Sequence, residues 1–159
     1  ALTCTALIRT LIGLVPAVLI AIPLFGISLM DLGLPLLLLL LSLYLFGITL
    51  GLLVTAGLVR FGPSFENIAW ASLFFIAPLG CIYYPVEILP NWLQVVALAL
   101  PLAHIFEETR SILITNTVNY MNIYNALMLN LVYLSIALLT FYRSFKTAKI
   151  KGSLINVGE

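Results

Sequence analysis

Four long runs of apolar residues, separated by short polar breaks, dominate the pattern along this chain. They cover about residues 6–30, 34–59, 65–84 and 123–142. Each run has the roughly 20 apolar residues that a helix needs to cross the hydrocarbon core of a membrane. The pattern therefore predicts four transmembrane helices.

The stretch between the third and fourth runs, about residues 85–115, has a different pattern. Its longest apolar segment, residues 95–103, is far too short to cross a membrane and contains Pro101. Such a segment can lie at membrane depth only where protein or water surrounds it. We therefore predict a re-entrant hairpin that enters from the outer side, with short helices at about 91–100 and 102–113.

The composition narrows the class of protein. The chain has 159 residues, of which 63% are hydrophobic and 8% are charged, whereas about a quarter of a soluble domain is charged. The predicted fold class is therefore an all-α, polytopic integral membrane bundle with four transmembrane helices and an outer hairpin, in one membrane domain (1–159). A net charge of +1 without a basic stripe gives no sign of nucleic-acid binding. Cys4 and Cys81 have no metal-binding spacing.

The cations predict the orientation in the membrane. With four crossings, the N-terminal flank, the loop after the second run and the tail (143–159) share one side. That side carries six of the seven Lys and Arg residues: Arg9, Arg60, Arg143, Lys146, Lys149 and Lys151. The positive-inside rule makes this side cytoplasmic. A fifth crossing at 85–115 would separate Arg9 and Arg60 from the tail cations, so the charges favour the hairpin.

Two further features concern helix packing and helix ends. Gly47, Gly51 and Thr55 recur every four residues, which gives the second run a smooth face on which another transmembrane helix can pack. The Gly62-Pro63 pair predicts the end of that helix, and Ser64 is placed to cap the next one.

The hairpin contains polar residues of the types that form metal or acid–base sites. His104, Glu107 and Glu108 form the sole cluster with metal or acid–base spacing, but no second ligand motif and no catalytic motif accompanies it. We therefore predict neither a metal site nor catalytic residues. Because Glu107 precedes Arg110 by three residues, the two are expected to pair along one helical turn. Glu108 and Glu87 are then expected to face the outer water or a cavity mouth.

Aromatic and amide side chains elsewhere in the sequence fit structural roles. Tyr83, Tyr84 and Trp92 flank prolines and fit an aromatic belt at the membrane interface. Asn125 and Asn130 are the mid-span polar residues of the last run, and their spacing of five residues gives no polar row for an ion.

The hairpin and its flanks resemble a known family. The segments are Pro78-Leu79-Gly80, Tyr84-Pro85-Val86-Glu87-Ile88-Leu89-Pro90-Asn91-Trp92, Leu100-Pro101-Leu102 and Glu108-x-Arg110. Together they are similar to the C-terminal half of type-2 ATP-binding-cassette (ABC) exporter permeases. The chain departs from that family at Gly80-Cys81, where Ser-Gly is more usual, and at Ala103-His104.

The resemblance implies a transmembrane permease subunit, not an enzyme, in the cell (inner) membrane with its C-terminus in the cytoplasm. The four runs would be the third to sixth spans of a six-span subunit, so two N-terminal spans would be missing. The implied partners are a second permease copy, membrane lipid and a separate ABC ATPase, which would hold ATP and Mg while this chain binds no cofactor. The implied cargo is a lipid-linked glycan, a drug or another amphipathic molecule.

Specific residues follow from the same resemblance. The ATPase is expected to touch the loop of Arg60, Phe61, Gly62 and Pro63. The outer gate is expected to consist of Pro78, Gly80, Tyr84, Pro85, Glu87, Pro90, Trp92, Pro101, Glu107 and Arg110. The principal alternative is a membrane scaffold or regulatory subunit without transport, and a channel, an ion-coupled carrier or an intramembrane enzyme fits the residues less well.

Overall fold

The computed structural model describes residues 29–115 and 117–150, together with Ile8 and Ile12. Within these residues the chain is helical and has no strand, so the predicted all-helical fold class is confirmed. Contacts divide the chain into two compact units, Ala1–Leu34 and Pro35–Glu159. The predicted first span (6–30) lies almost wholly outside the described residues.

Among the described residues, two helices have the length and composition of membrane spans. Helix α1, Leu29–Phe61, is interrupted at Gly33 (φ 41°, ψ −132°) and is apolar and long enough to cross a membrane over Gly33–Phe61. Helix α5, Tyr120–Ile150, passes the same test. Only 22% of the residues in the most apolar part of each helix are buried within the chain. Their outward surface is therefore mainly apolar, as lipid contact requires.

Helix α2, Phe65–Leu79, is shorter than the predicted third span, which was expected to reach Tyr84. The helix has 15 residues and ends at Leu79 because Cys81 adopts a left-handed conformation (φ 55°). Helix α5 is longer than the predicted fourth span and carries Arg143, Lys146 and Lys149 in its last turns.

The loop between α1 and α2 turns at Gly62, whose φ is 78°. The N–H groups of Phe65 and Glu66 donate to the carbonyl oxygens of Gly62 and Pro63 at 3.1 and 3.0 Å. Ser64 occupies the N-cap position of α2, but its side chain makes no capping hydrogen bond. The predicted Ser64 cap is therefore wrong, because backbone bonds from the turn satisfy this helix end instead.

Short elements follow in the hairpin (residues 85–115). A 3₁₀ turn at Val86–Ile88 precedes α3, Asn91–Leu98, and α4, Pro101–Thr115. The two predicted short helices are thereby confirmed. Helix α4 packs along α5, so the hairpin is packed against the second long helix.

Candidate functional site

Prolines place the short elements of the hairpin. Pro85 and Pro90 precede the 3₁₀ turn and α3 with φ values of −68° and −55°, which lie near the angle that the pyrrolidine ring fixes. Pro101 is the first residue of α4, where a helix needs no N–H donor. Pro78 lies in the last turn of α2. The sequence thus sets each helix boundary around the hairpin.

A polar contact that we call the hairpin lock holds the two arms of the hairpin together. Glu107 Oε1 accepts a hydrogen bond from the backbone N–H of Val86 at 2.7 Å and an ion-paired bond from Arg110 Nη1 at 2.8 Å. Arg110 Nη2 also donates to the carbonyl oxygen of Cys81 at 3.2 Å. The predicted Glu107–Arg110 pair is confirmed. Its further contacts fix α4 against the chain that enters the hairpin.

The turn before the hairpin is packed against the start of α4. A Cβ atom at Gly80 would lie 2.9 Å from both Cβ and Cδ1 of Leu102, closer than real side-chain contacts. The next residue, Cys81, is fully buried and has the left-handed φ that glycine favours. A non-glycine residue in this conformation is uncommon, so the turn at Cys81 carries backbone strain.

Three side chains donate hydrogen bonds to backbone carbonyl oxygens in and around the hairpin. The Tyr84 hydroxyl donates to Pro78 O at 2.8 Å and Gln94 Nε2 to Leu89 O at 2.8 Å. His104 Nε2 donates to Leu98 O at 2.9 Å. The ring of this buried histidine is therefore used within the hairpin, between α3 and α4.

Glu108 corrects a prediction. This acid was expected to face the outer water or a cavity mouth, but its side chain is fully buried. Its Oε1 accepts the backbone N–H of Asn119 at 2.6 Å and its Oε2 accepts Asn122 Nδ2 at 3.0 Å. Asn119 Oδ1 in turn accepts the N–H of Met121 at 3.0 Å. The prediction was wrong because Glu108 binds the start of α5, whose open N–H groups attract a carboxylate.

The remaining residues of the predicted gate are exposed. Glu87 and Pro90 lie on the surface, as expected for Glu87, and Trp92 is 69% exposed. The hairpin lock brings Glu107 and Arg110 to Val86 and Cys81, whereas Glu87 and Trp92 stay outside it. The residues of the predicted gate thus divide into a packed set around Gly80 and an exposed set.

The predicted ATPase-contact loop is an aromatic cluster. Arg60 lies 5.4 Å from the centre of the Phe61 ring, and the rings of Phe61 and Phe65 stack with centroids 5.8 Å apart. Arg60, Phe61 and Pro63 are exposed. The loop therefore presents a charged and apolar surface at one end of α1 and α2.

The predicted packing residues lie on an exposed face of α1 in the part of the chain that the structure describes. Gly47, Gly51 and Thr55 are exposed, and no atom would lie within 4 Å of a Cβ at either glycine. The buried side of α1 is a different one, formed by Leu39, Ser42, Phe46, Thr49 and Ala56. The small-residue face is thus free for lipid or for another helix.

Asn130 has a role that its spacing from Asn125 did not indicate. It is 1% exposed, and its Nδ2 donates to Ser42 O at 2.9 Å and to Ser42 Oγ at 2.7 Å. This contact, which we call the span latch, joins α1 to α5. The sole sequence signal was the presence of one amide and one hydroxyl in apolar runs.

The described residues contain no group of three or more His, Cys, Asp or Glu side chains that could hold a metal ion. Comparison with family models, with curated proteins and with solved structures gives no match to this chain.

Proposed function

We propose that this chain is part of the transmembrane permease subunit of an ABC exporter and that the hairpin forms its outer gate. The observation that carries the proposal is the hairpin lock. One ion pair joins α4 to the backbone on both sides of Pro85, at Val86 N and Cys81 O. The proline-bounded segment is consequently a single unit, which a gate needs in order to move as a body.

The proposed topology has four crossings, with the hairpin on the outer side. Helices α1 and α5 would supply two crossings, since both are long and apolar enough, and residues 6–30, outside the described residues, would supply another. Helix α2 spans about 22 Å at 1.5 Å per residue, so the residues after Leu79 would complete the third. Helix α4 carries Glu107, Glu108 and Arg110 within 15 residues, which favours a folded-back segment over a crossing. The chain would lie in the cell membrane with its C-terminus in the cytoplasm.

In the proposed mechanism the transport path lies between two permease copies. A separate ATPase, which binds ATP and Mg, would dock on the loop that begins at Arg60. ATP changes the populations of inward-open and outward-open states only through a difference in its affinity for them. The exposed face of Gly47, Gly51 and Thr55 offers a close approach to another membrane helix. The cargo class is an amphipathic molecule such as a lipid-linked glycan or a drug.

The direct test compares two acids of the hairpin in proteoliposomes that contain the permease and its ATPase. Glu107→Gln removes the charge that pairs with Arg110, whereas Glu87→Gln removes the charge of an exposed acid near the same turn. The hairpin lock is partly exposed, so we discount its worth to about 1 kcal/mol. A loss of that size changes a two-state population about fivefold. We expect ATP-driven uptake of a fluorescent drug or a lipid-linked glycan to fall about fivefold for Glu107→Gln and to fall less for Glu87→Gln, whose carboxylate lies outside the hairpin lock.

The prolines provide a second arm of the test. Pro85→Ala and Pro90→Ala free the φ angles that position Val86 and α3, so both variants are expected to insert normally but to export poorly. Normal transport by both would make the gate assignment wrong. A complex that assembles with an ATPase but never transports any probe would favour the scaffold function instead.

A further inference from the structure

The span latch is the feature of the two long helices that simple packing does not explain. Two polar residues, Ser42 and Asn130, meet between α1 and α5 at 0% and 1% exposure. They are 88 residues apart in the chain. Polar side chains within membrane-spanning segments are costly unless they are paired, and they mark positions with a role beyond apolar packing.

The latch is incompletely satisfied in this conformation. Asn130 Nδ2 makes both of its contacts with Ser42, while Asn130 Oδ1 is buried and has no hydrogen-bond partner in the part of the chain that the structure describes. A buried polar group without a partner costs free energy comparable to a lost hydrogen bond. A conformation in which Oδ1 gains a donor would recover that cost.

Ser42 can leave the latch at little cost. Hydroxyl groups elsewhere on α1 and α5 donate to the carbonyl oxygen four residues earlier: Thr49 to Leu45, Thr55 to Gly51, Ser135 to Leu131 and Thr140 to Ile136. The same local bond is open to a serine in these helices. When the latch breaks, the Ser42 hydroxyl can therefore still make a hydrogen bond on α1. The amide of Asn130 would be hydrated in the opened cleft.

We propose that the span latch is a separable contact: α1 and α5 are joined at Ser42–Asn130 in one transport state and apart there in another. This inference rests on the proposed exporter function, which supplies the second state. In contrast, the Glu108 contacts at the start of α5 have a partner on both carboxylate oxygens. They are fully satisfied, and we expect them to persist in both states.

The test measures distances with pairs of spin labels in the assembled exporter in nanodiscs. The reporting pair is Leu43→Cys with Leu131→Cys, next to the latch residues and exposed by 37% and 53%. The control pair is Leu113→Cys with Tyr124→Cys, exposed by 49% and 54% on the helices that Glu108 joins. Both pairs are made in a Cys4→Ser background, while the fully buried Cys81 is left in place.

The reporting distance is expected to differ between the nucleotide-free and ATP-trapped complexes by about 5 Å, the scale of one helical turn. The control distance is expected to stay constant. Asn130→Leu, which removes the donor, is expected to add the second distance to the nucleotide-free distribution.

One unchanged reporting distance in both states of a complex that transports would overturn the latch. If the complex ignores ATP and does not transport, while Asn130→Leu still adds the second distance, the exporter function fails and the latch stands. An Asn130→Leu variant with the wild-type distribution would mean that Ser42–Asn130 is fixed packing. Thermal unfolding of that variant is measured in parallel so that a folding defect is not mistaken for separation.

Discussion

Gly80 provides the sharpest test of the packing around the hairpin. Its backbone φ is −74°, which any residue adopts, so the cost of Gly80→Ala is steric and not conformational. The added methyl group would meet two atoms of Leu102 at 2.9 Å and the carbonyl oxygen of Ile76 at 3.1 Å. Leu102 is itself buried, and it therefore has little space into which to move.

Inserting a methyl group into a packed site of this kind costs about 1–3 kcal/mol. For a chain of this size, a loss of about 2 kcal/mol lowers the unfolding temperature by about 4–8 °C. The assay is thermal unfolding of the purified protein in detergent, followed by circular dichroism. Gly51→Ala is the matched control because no atom lies within 4 Å of its added Cβ. Alanine is also the better helix former by about 0.5–1 kcal/mol.

The two variants are thus expected to shift the unfolding temperature in opposite directions. Equal unfolding temperatures for Gly80→Ala and Gly51→Ala would refute the close approach of Gly80 to Leu102. The docking of α4 onto the end of α2 would then have to be abandoned.

Two further changes test the buried polar and strained positions by the same assay. Glu108→Ala leaves the Asn119 N–H and Asn122 Nδ2 without an acceptor, so it should destabilise the protein by about 2–4 kcal/mol. Glu108→Gln should cost less. An unchanged unfolding temperature for Glu108→Ala would contradict the buried contact. At Cys81 the backbone φ is 55°. Cys81→Gly should be more stable than Cys81→Ala by about 1 kcal/mol, because both variants lose the thiol but only glycine removes the backbone strain. The reverse order of stability would argue against the left-handed turn.

Local interactions were the ones that the sequence made predictable. Glu107 and Arg110 are three residues apart on one helix, so their pairing follows from helical geometry alone. The short helices of the hairpin were equally accessible, because Pro90 and Pro101 mark where each can begin. No knowledge of the rest of the fold was needed for either inference.

Contacts between distant segments were not predictable. Glu108 was assigned to the outer water because its partners follow a turn, 11 and 14 residues further on. The partner of Asn130 is 88 residues away, beyond any periodicity argument. Gly80 was singled out through a family resemblance, whereas its physical reason is the position of Leu102. The two described helices that are long and apolar enough to cross a membrane are recognisable from the sequence, but their packing partners depend on the three-dimensional structure.

Helix α5 runs without interruption for 31 residues, or about 46 Å at 1.5 Å per residue. Glu108 accepts hydrogen bonds from Asn119 and Asn122 at its start, and its last turns bear lysine and arginine side chains. A tilt of this helix at its first turn would displace its last turns sideways. An uninterrupted helix would thus couple the hairpin to the basic last turns of α5 without a relay of side chains between them.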